Sequence, residues 1–249
     1  MMYFMKFRHN KLFSAVIDPK KRDAGQKNQK GFSILEVAVV LVILGLLIGS
    51  IITPLSAQRE SRQRALAEQD LQEIKQALLG FALVNGRLPC PADTNTDGLE
   101  DANGSGDCLE ANGYVPNVTL GLSGQVTTGN LLADPWNTAY RYSLTGVNSW
   151  EYAKNLSIDG TTPDLQVCSS TACTAATTLT SSAVAVVFSM AKFGSPNASS
   201  SLETENTDND TVFVQAGFAE SGSNAFDDEI IWLSQNELAY ALMQGGRGQ

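Results

Sequence analysis

The chain has 249 residues, 43% of them hydrophobic, with 26 acidic side chains against 17 basic ones and a net charge of -9. That length suffices for a domain with its own core beside further segments. The acidic balance argues against a nucleic-acid partner, which calls for clustered Lys and Arg to meet phosphate.

The charge is unevenly spread. Up to Gly31, eight basic residues (Lys6, Arg8, Lys11, Lys20, Lys21, Arg22, Lys27 and Lys30) meet only Asp18 and Asp23, so residues 1–31 carry +6 and the rest -15. Then come Phe32 to Glu36 and Val37 to Leu55, a run without formal charge. A spanning helix needs about 20 mainly apolar residues, so residues 32–55 read as a membrane helix. The basic leader stays on the cytoplasmic side and the acidic remainder is translocated. A secretory signal would be cut after its apolar region at small residues, and Leu55-Ser56-Ala57 puts a large residue there. Glu36 is the anomaly, because a carboxylate inside a membrane segment costs about 2.5–3.5 kcal/mol on insertion scales and needs a partner. The expected partner is an amine.

Beyond Pro54, which should kink the helix near the membrane exit, the pattern becomes amphipathic. Ala67, Leu71, Ile74, Leu78 and Phe81 follow the spacing of one buried helical stripe, and Asn85-Gly86 reads as its C-terminal cap. Residues 56–86 are thus an amphipathic helix and 87–249 a β-rich head. Within the head, Tyr140 to Leu144, Trp150 to Ala153, Ala183 to Met190, Thr211 to Ala216 and Glu229 to Leu233 read as short strands of an antiparallel meander, with Asn236 to Met243 a closing helix. Ser195 to Asp210 reads as a variable polar loop. The expected fold is α+β: a long N-terminal helix, membrane-spanning in its first half, packed through its second half on an antiparallel sheet with long loops.

Gly31-Phe32-x-x-x-Glu36, between a basic leader and an apolar helix, resembles the cleavage and methylation signal of type IV pilins and type II secretion pseudopilins. The resemblance implies that a prepilin peptidase/methyltransferase cuts between Gly31 and Phe32 and methylates Phe32. It also implies that Glu36 neutralises the Phe32 amine of a neighbouring subunit during assembly, and that the chain is a structural subunit, a minor pilin or pseudopilin, of a type IV pilus or type II secretion filament. Its partners would be the peptidase, other subunits and the inner-membrane assembly platform, and its place a single pass of the inner membrane with a periplasmic head, then the filament. Asp134-Pro135-Trp136-Asn137-Thr138-Ala139-Tyr140-Arg141-Tyr142 is similar to an Asp-Pro-Trp-Gly-x-x-Tyr-x-Tyr segment of the family's major subunits, with Asn137 where glycine is usual. Pilins of this family also commonly carry a proline near Pro54. The contrasting reading is a membrane-tethered periplasmic binding or adhesion domain that never polymerises.

Cys90, Cys108, Cys168 and Cys173 lie in the exported part, where disulfides form. Four cysteines allow three pairings, and proximity favours Cys90 with Cys108 and Cys168 with Cys173. Asp93-x-Asn95-x-Asp97-Gly98-Leu99-x-Asp101 sets oxygen ligands at alternating positions with glycine sixth, the arrangement of a calcium loop. Its twelfth position is Gly104 and not a bidentate Glu, so a full EF-hand is excluded. The choice is between a smaller structural calcium loop and a solvated acidic loop with no cofactor. Glu203, Glu205, Asp208 and Asp210 read as solvated surface. Asp227, Asp228 and Glu229 read as a polar turn before a strand or, alternatively, as a calcium or partner contact. The one histidine, His9, falls in the leader, which removes Ser-His-Asp, Cys-His and histidine-zinc chemistry from the mature chain. An enzyme is not expected.

Overall fold

The computed structural model describes residues 31–94, 97–156, 161–194 and 200–246, with the backbone alone for 50–56. The leader up to Lys30, Asn95 and the first part of the polar loop, 195–199, lie outside the described residues. The elements run α1 (Ile34–Asn85), β1 (Asn112–Tyr114), α2 (Asn117–Leu120), β2 (Arg141–Leu144), α3 (Val147–Lys154), β3 (Leu165–Cys168), β4 (Thr178–Ser189), α4 (Ser201–Glu205), β5 (Val212–Val214), β6 (Glu229–Ser234) and α5 (Gln235–Gln244). The chain divides into two compact units, Met1–Ile51 and Ile52–Gln249.

In the first unit, α1 begins with apolar side chains exposed all round: Ile34, Leu35, Leu41, Val42, Leu46 and Ile48 all face outward. A helix apolar on every side has no solvated face and calls for lipid or protein around it. Among the described residues no helix is long and apolar enough to cross a membrane. The apolar run with described side chains ends at Gly49, short of the about 20 residues a span requires.

The second unit is built on a six-stranded sheet in the order β1-β2-β4-β3-β5, with β6 also on β4. Strand β4 organises it. Its first half alternates between half-buried and exposed, whereas Ala183 to Ser189 are all buried. That second half is clasped on both sides, by β2 (Arg141 opposite Phe188, Leu144 opposite Ala185) and by β6 (Val186 opposite Trp232, Ser189 opposite Glu229), both antiparallel. An apolar run without alternation, Ala183-Val184-Ala185-Val186-Val187-Phe188, is what a strand covered on both faces requires. The helical stripe covers one of them. Leu71, Ile74, Leu78 and Ala82 pack with Tyr140, Tyr142, Leu144, Ala185 and Val187, joined by Leu238 and Leu242 of α5. Val186, Phe188, Val167, Phe213 and Ile230 form a second cluster. Gly86 ends α1 in the left-handed conformation, φ 69, donating to the Ala82 carbonyl at 2.9 Å, the capping expected of Asn85-Gly86.

Four expectations need correction. Phe81 is not fully buried; the Arg87 guanidinium sits 5.2 Å from its ring centroid, and the smaller Ala82 completes the stripe. Trp150 to Ala153 is helical, not extended: Asn148, Ser149 and Trp150 turn left-handed before α3 proceeds. The Asn148 amide donates to Glu151 Oε2 at 3.0 Å and Thr161 Oγ1 at 2.8 Å, a local network that competes with strand pairing. The sheet is not wholly antiparallel, because β3 and β5 run parallel. The polar loop holds the short helix α4.

Candidate functional site

The described residues open at Gly31-Phe32, the bond where the sequence places the cleavage. Phe32 is 81% exposed, and α1 starts two residues later. Ser33 is the N-cap: its Oγ accepts from the Leu35 amide at 3.3 Å, and its carbonyl from Val37 at 3.1 Å. Glu36 falls in the first turn, three residues after Ser33, where a carboxylate meets the positive end of the helix dipole. The Gly31-Phe32 bond thus lies just ahead of the helix start, with Glu36 in the first turn behind it. Ser33-x-x-Glu36 is a capping-box pattern that the membrane reading of this stretch had hidden. Pro54 lies within α1.

The disulfides join Cys90 to Cys108, with Cα atoms 5.2 Å apart, and Cys168 to Cys173, 5.4 Å apart. The first closes the Asp93–Asp101 loop. There Asp97 Oδ1 accepts the Leu99 amide at 2.9 Å and Asp101 Oδ2 accepts the Asp93 amide at 2.7 Å. Asp93, Asp97 and Asp101 do not converge into one ligand group, although Asn95 lies outside the described residues. The loop is anchored by Arg87, whose guanidinium grips Glu100 bidentately at 2.6 and 2.7 Å while the Cys90 amide donates to the same carboxylate at 3.1 Å. Burial pushes the Glu100 carboxyl up, but these donors outweigh it and hold it below the usual carboxylate range.

Carboxylates do converge elsewhere. Glu203 on α4 and Asp227 and Asp228 just before β6 are all buried, and ligand oxygens of the three lie within 4.8 Å of one another. The Asp227 amide donates to Glu203 Oε1 at 3.0 Å; Lys192 and Phe193 amides donate to Asp227 Oδ2 at 3.0 and 3.2 Å; the Asn206 amide donates to Asp228 Oδ2 at 2.7 Å. Asp227 Oδ1 is buried without a hydrogen-bond partner. Burial, then the Glu203 charge, pushes the Asp227 carboxyl up to about 7, and burial raises Asp228 well above its ordinary value. Arg64, whose charge acts on Asp227, is committed to Glu229 Oε1 at 2.8 Å and the Asp227 carbonyl at 3.4 Å. Three buried acids with one orphan oxygen either hold protons or surround a metal ion. An all-oxygen donor set suits a hard cation such as calcium.

This splits the acidic group expected on the surface. Glu203 turns inward, whereas Glu205, Asp208 and Asp210 form a second, more exposed cluster whose Asp208 and Asp210 side chains accept the Asp210 and Val212 amides. The only sequence signal for the inward site was Asp227-Asp228 placed directly against an apolar strand.

The Asp134-Pro135-Trp136-Asn137 segment is a turn folded around its buried aspartate. Asp134 Oδ1 accepts the Trp136 and Thr138 amides at 3.0 and 2.8 Å, and Oδ2 accepts Ser189 Oγ of β4. Asn137 has φ 68, a left-handed conformation that asparagine tolerates and glycine suits best.

Residues 26–52 match the family described as the prokaryotic N-terminal methylation motif. The type II secretion system core protein G of Escherichia coli (strain K12) is 30% identical over 112 residues, 45% of this chain and 70% of that protein. That of Vibrio cholerae serotype O1 is 29% identical over 125 residues, 48% of this chain and 74% of its own length. That of Aeromonas hydrophila is 35% identical over 75 residues, 30% of this chain and half of its own length. No solved structure matches the chain.

Proposed function

This chain belongs to the pilin and pseudopilin family, and we propose that it is a structural subunit of a type II secretion filament, stored as a single pass of the inner membrane with its head on the periplasmic side. A prepilin peptidase/methyltransferase removes residues 1–31 and methylates Phe32. The subunit then passes from lipid into the filament through the assembly platform, its apolar helix exchanging acyl chains for neighbouring helices. Glu36 pairs with the Phe32 amine, which relieves the cost of carrying a carboxylate through the membrane.

The observation that carries this reading is the exposed Gly31-Phe32 segment with Glu36 in the first helical turn behind it. Glu36→Ala should be processed normally but fail to enter the filament; wild-type filament content for that variant would refute the mechanism. A mature chain that retains residues 1–31 would favour the alternative, a tethered binding or adhesion domain.

We also propose that the head takes one structural calcium ion. The buried trio of Glu203, Asp227 and Asp228 supports this better than the Asp93–Asp101 loop does, because it offers converging oxygens and an unpartnered one. The ion's role is to neutralise those charges and tie α4 to the start of β6. The relatives carry the names of secretion-system core proteins, and no catalytic role is assigned to this chain.

A further inference from the structure

The second unit has a basic and aromatic end in an otherwise acidic body. Of the nine basic residues after Gly31, four lie there: Arg59, Arg62 and Arg64 in the first turns of α1 beyond the apolar run, and Lys192 on the loop after β4. Arg59, Arg64 and Lys192 line an open cleft of about 730 Å3 together with Glu60, Glu220 and Phe218. Arg64 is spoken for by Glu60 and Glu229, and its guanidinium lies 3.9 Å over the Phe218 ring. That stacking fixes an aromatic ring that is 54% exposed. Arg59 and Arg62 are exposed, and the Lys192 ammonium pairs with the exposed Glu220 at 3.4 Å. Translocated flanks of membrane helices are ordinarily poor in Lys and Arg. Three arginines within two turns of such a flank therefore point to something that uses them.

We propose that this end of the head docks on the surface of the bilayer and recognises anionic phospholipid headgroups. Arg59, Arg62 and Lys192 meet the phosphates, and Phe218, held by Arg64, enters the interface. Basic side chains beside a membrane segment gain from anionic lipid within a Debye length, and an exposed ring among them completes an interfacial anchor. A second copy of the chain is the competing occupant, and the test below distinguishes it from lipid. Lipid contact would be surrendered on entry to the filament.

The inference rests on the membrane-spanning reading, and the test separates the two. All four cysteines are in disulfides, so Gly217→Cys, at a site with open space around it, gives a single thiol for a nitroxide label. The full chain is placed in nanodiscs of phosphatidylcholine alone and of phosphatidylcholine with phosphatidylglycerol. Collisions of the label with oxygen and with a water-soluble nickel complex are then compared. The expected result is severalfold lower nickel accessibility in the phosphatidylglycerol discs, reversed by salt and abolished by Arg59→Gln with Lys192→Gln at unchanged melting temperature. Equal accessibility in both lipids overturns the lipid site while leaving the span intact. Spin–spin broadening that is independent of lipid charge assigns the face to a second copy and also overturns it. Failure to insert into either disc overturns the span and this inference together.

Discussion

Replacing Asp227 by asparagine removes one negative charge from a buried group of three carboxylates whose oxygens lie within 4.8 Å of one another. Without a cation, Asp227 and Asp228 take up protons more readily folded than unfolded: the first rises from 3.8 to about 7 and the second well above 3.8. The folded chain then holds the extra protons between those values, so stability is fullest at the acid end and falls as pH rises from about 4 toward 7. Calcium should cancel this slope by replacing the protons. At a concentration 100 times its dissociation constant it adds about 2.7 kcal/mol, which for a unit of this size raises the melting temperature by roughly 5–11 °C. In Asp227→Asn most of that rise should vanish. The variant should melt higher than the parent at pH 7 without calcium and close to it at pH 5, because it carries one charge fewer. Thermal unfolding of the full chain in detergent at pH 5, 6 and 7, with calcium and with chelator, measures all of this. An unchanged calcium response together with an unchanged pH slope in Asp227→Asn would refute the reasoning.

Substitutions at two further positions test the framework of the head. Arg87→Met leaves Glu100 with the Cys90 amide alone and should cost about 1.5–3 kcal/mol, the range for a hydrogen bond to a charged group. The loss should be full at neutral pH and shrink as Glu100 protonates in acid, and denaturant unfolding at pH 7 and pH 4 reads both. Asn137→Gly relaxes a left-handed residue but loses the 3.0 Å bond from the Gln125 amide, so the change in stability should stay within about 0.5 kcal/mol. Asn137→Ala loses the bond without gaining the freedom and should cost about 1–2 kcal/mol. Urea midpoints rank the three.

Periodicity carried the helical stripe from Ala67 to Leu78, because a surface helix must bury one face and so repeats every three or four residues. It also located β4, since an unbroken run from Ala183 to Phe188 suits only a strand buried on both sides. What escaped lacks such a pattern. β1 is Asn-Gly-Tyr, two residues that strands disfavour before a single tyrosine; its place comes from pairing with β2. The parallel contact of β3 with β5 depends on a connection that no local signal encodes. Trp150 to Ala153 looks extended in composition, but the left-handed turn at Asn148 and Ser149 winds the chain into a helix. At the site, the Gly31-Phe32-Glu36 spacing and both disulfide pairings were readable. The burial of Glu203 was not, because it stands in one polar stretch with Glu205, Asp208 and Asp210, and only the fold brings Asp227 to it.

The central claim concerns how the chain becomes a subunit, and the most direct measurement is the N-terminal sequence and intact mass of the protein recovered from the assembled filament. The account predicts a chain that begins at N-methylated Phe32 and lacks the mass of residues 1–31. A filament-associated chain that still begins at Met1, or one cut beyond the apolar run near Ala57, would contradict it.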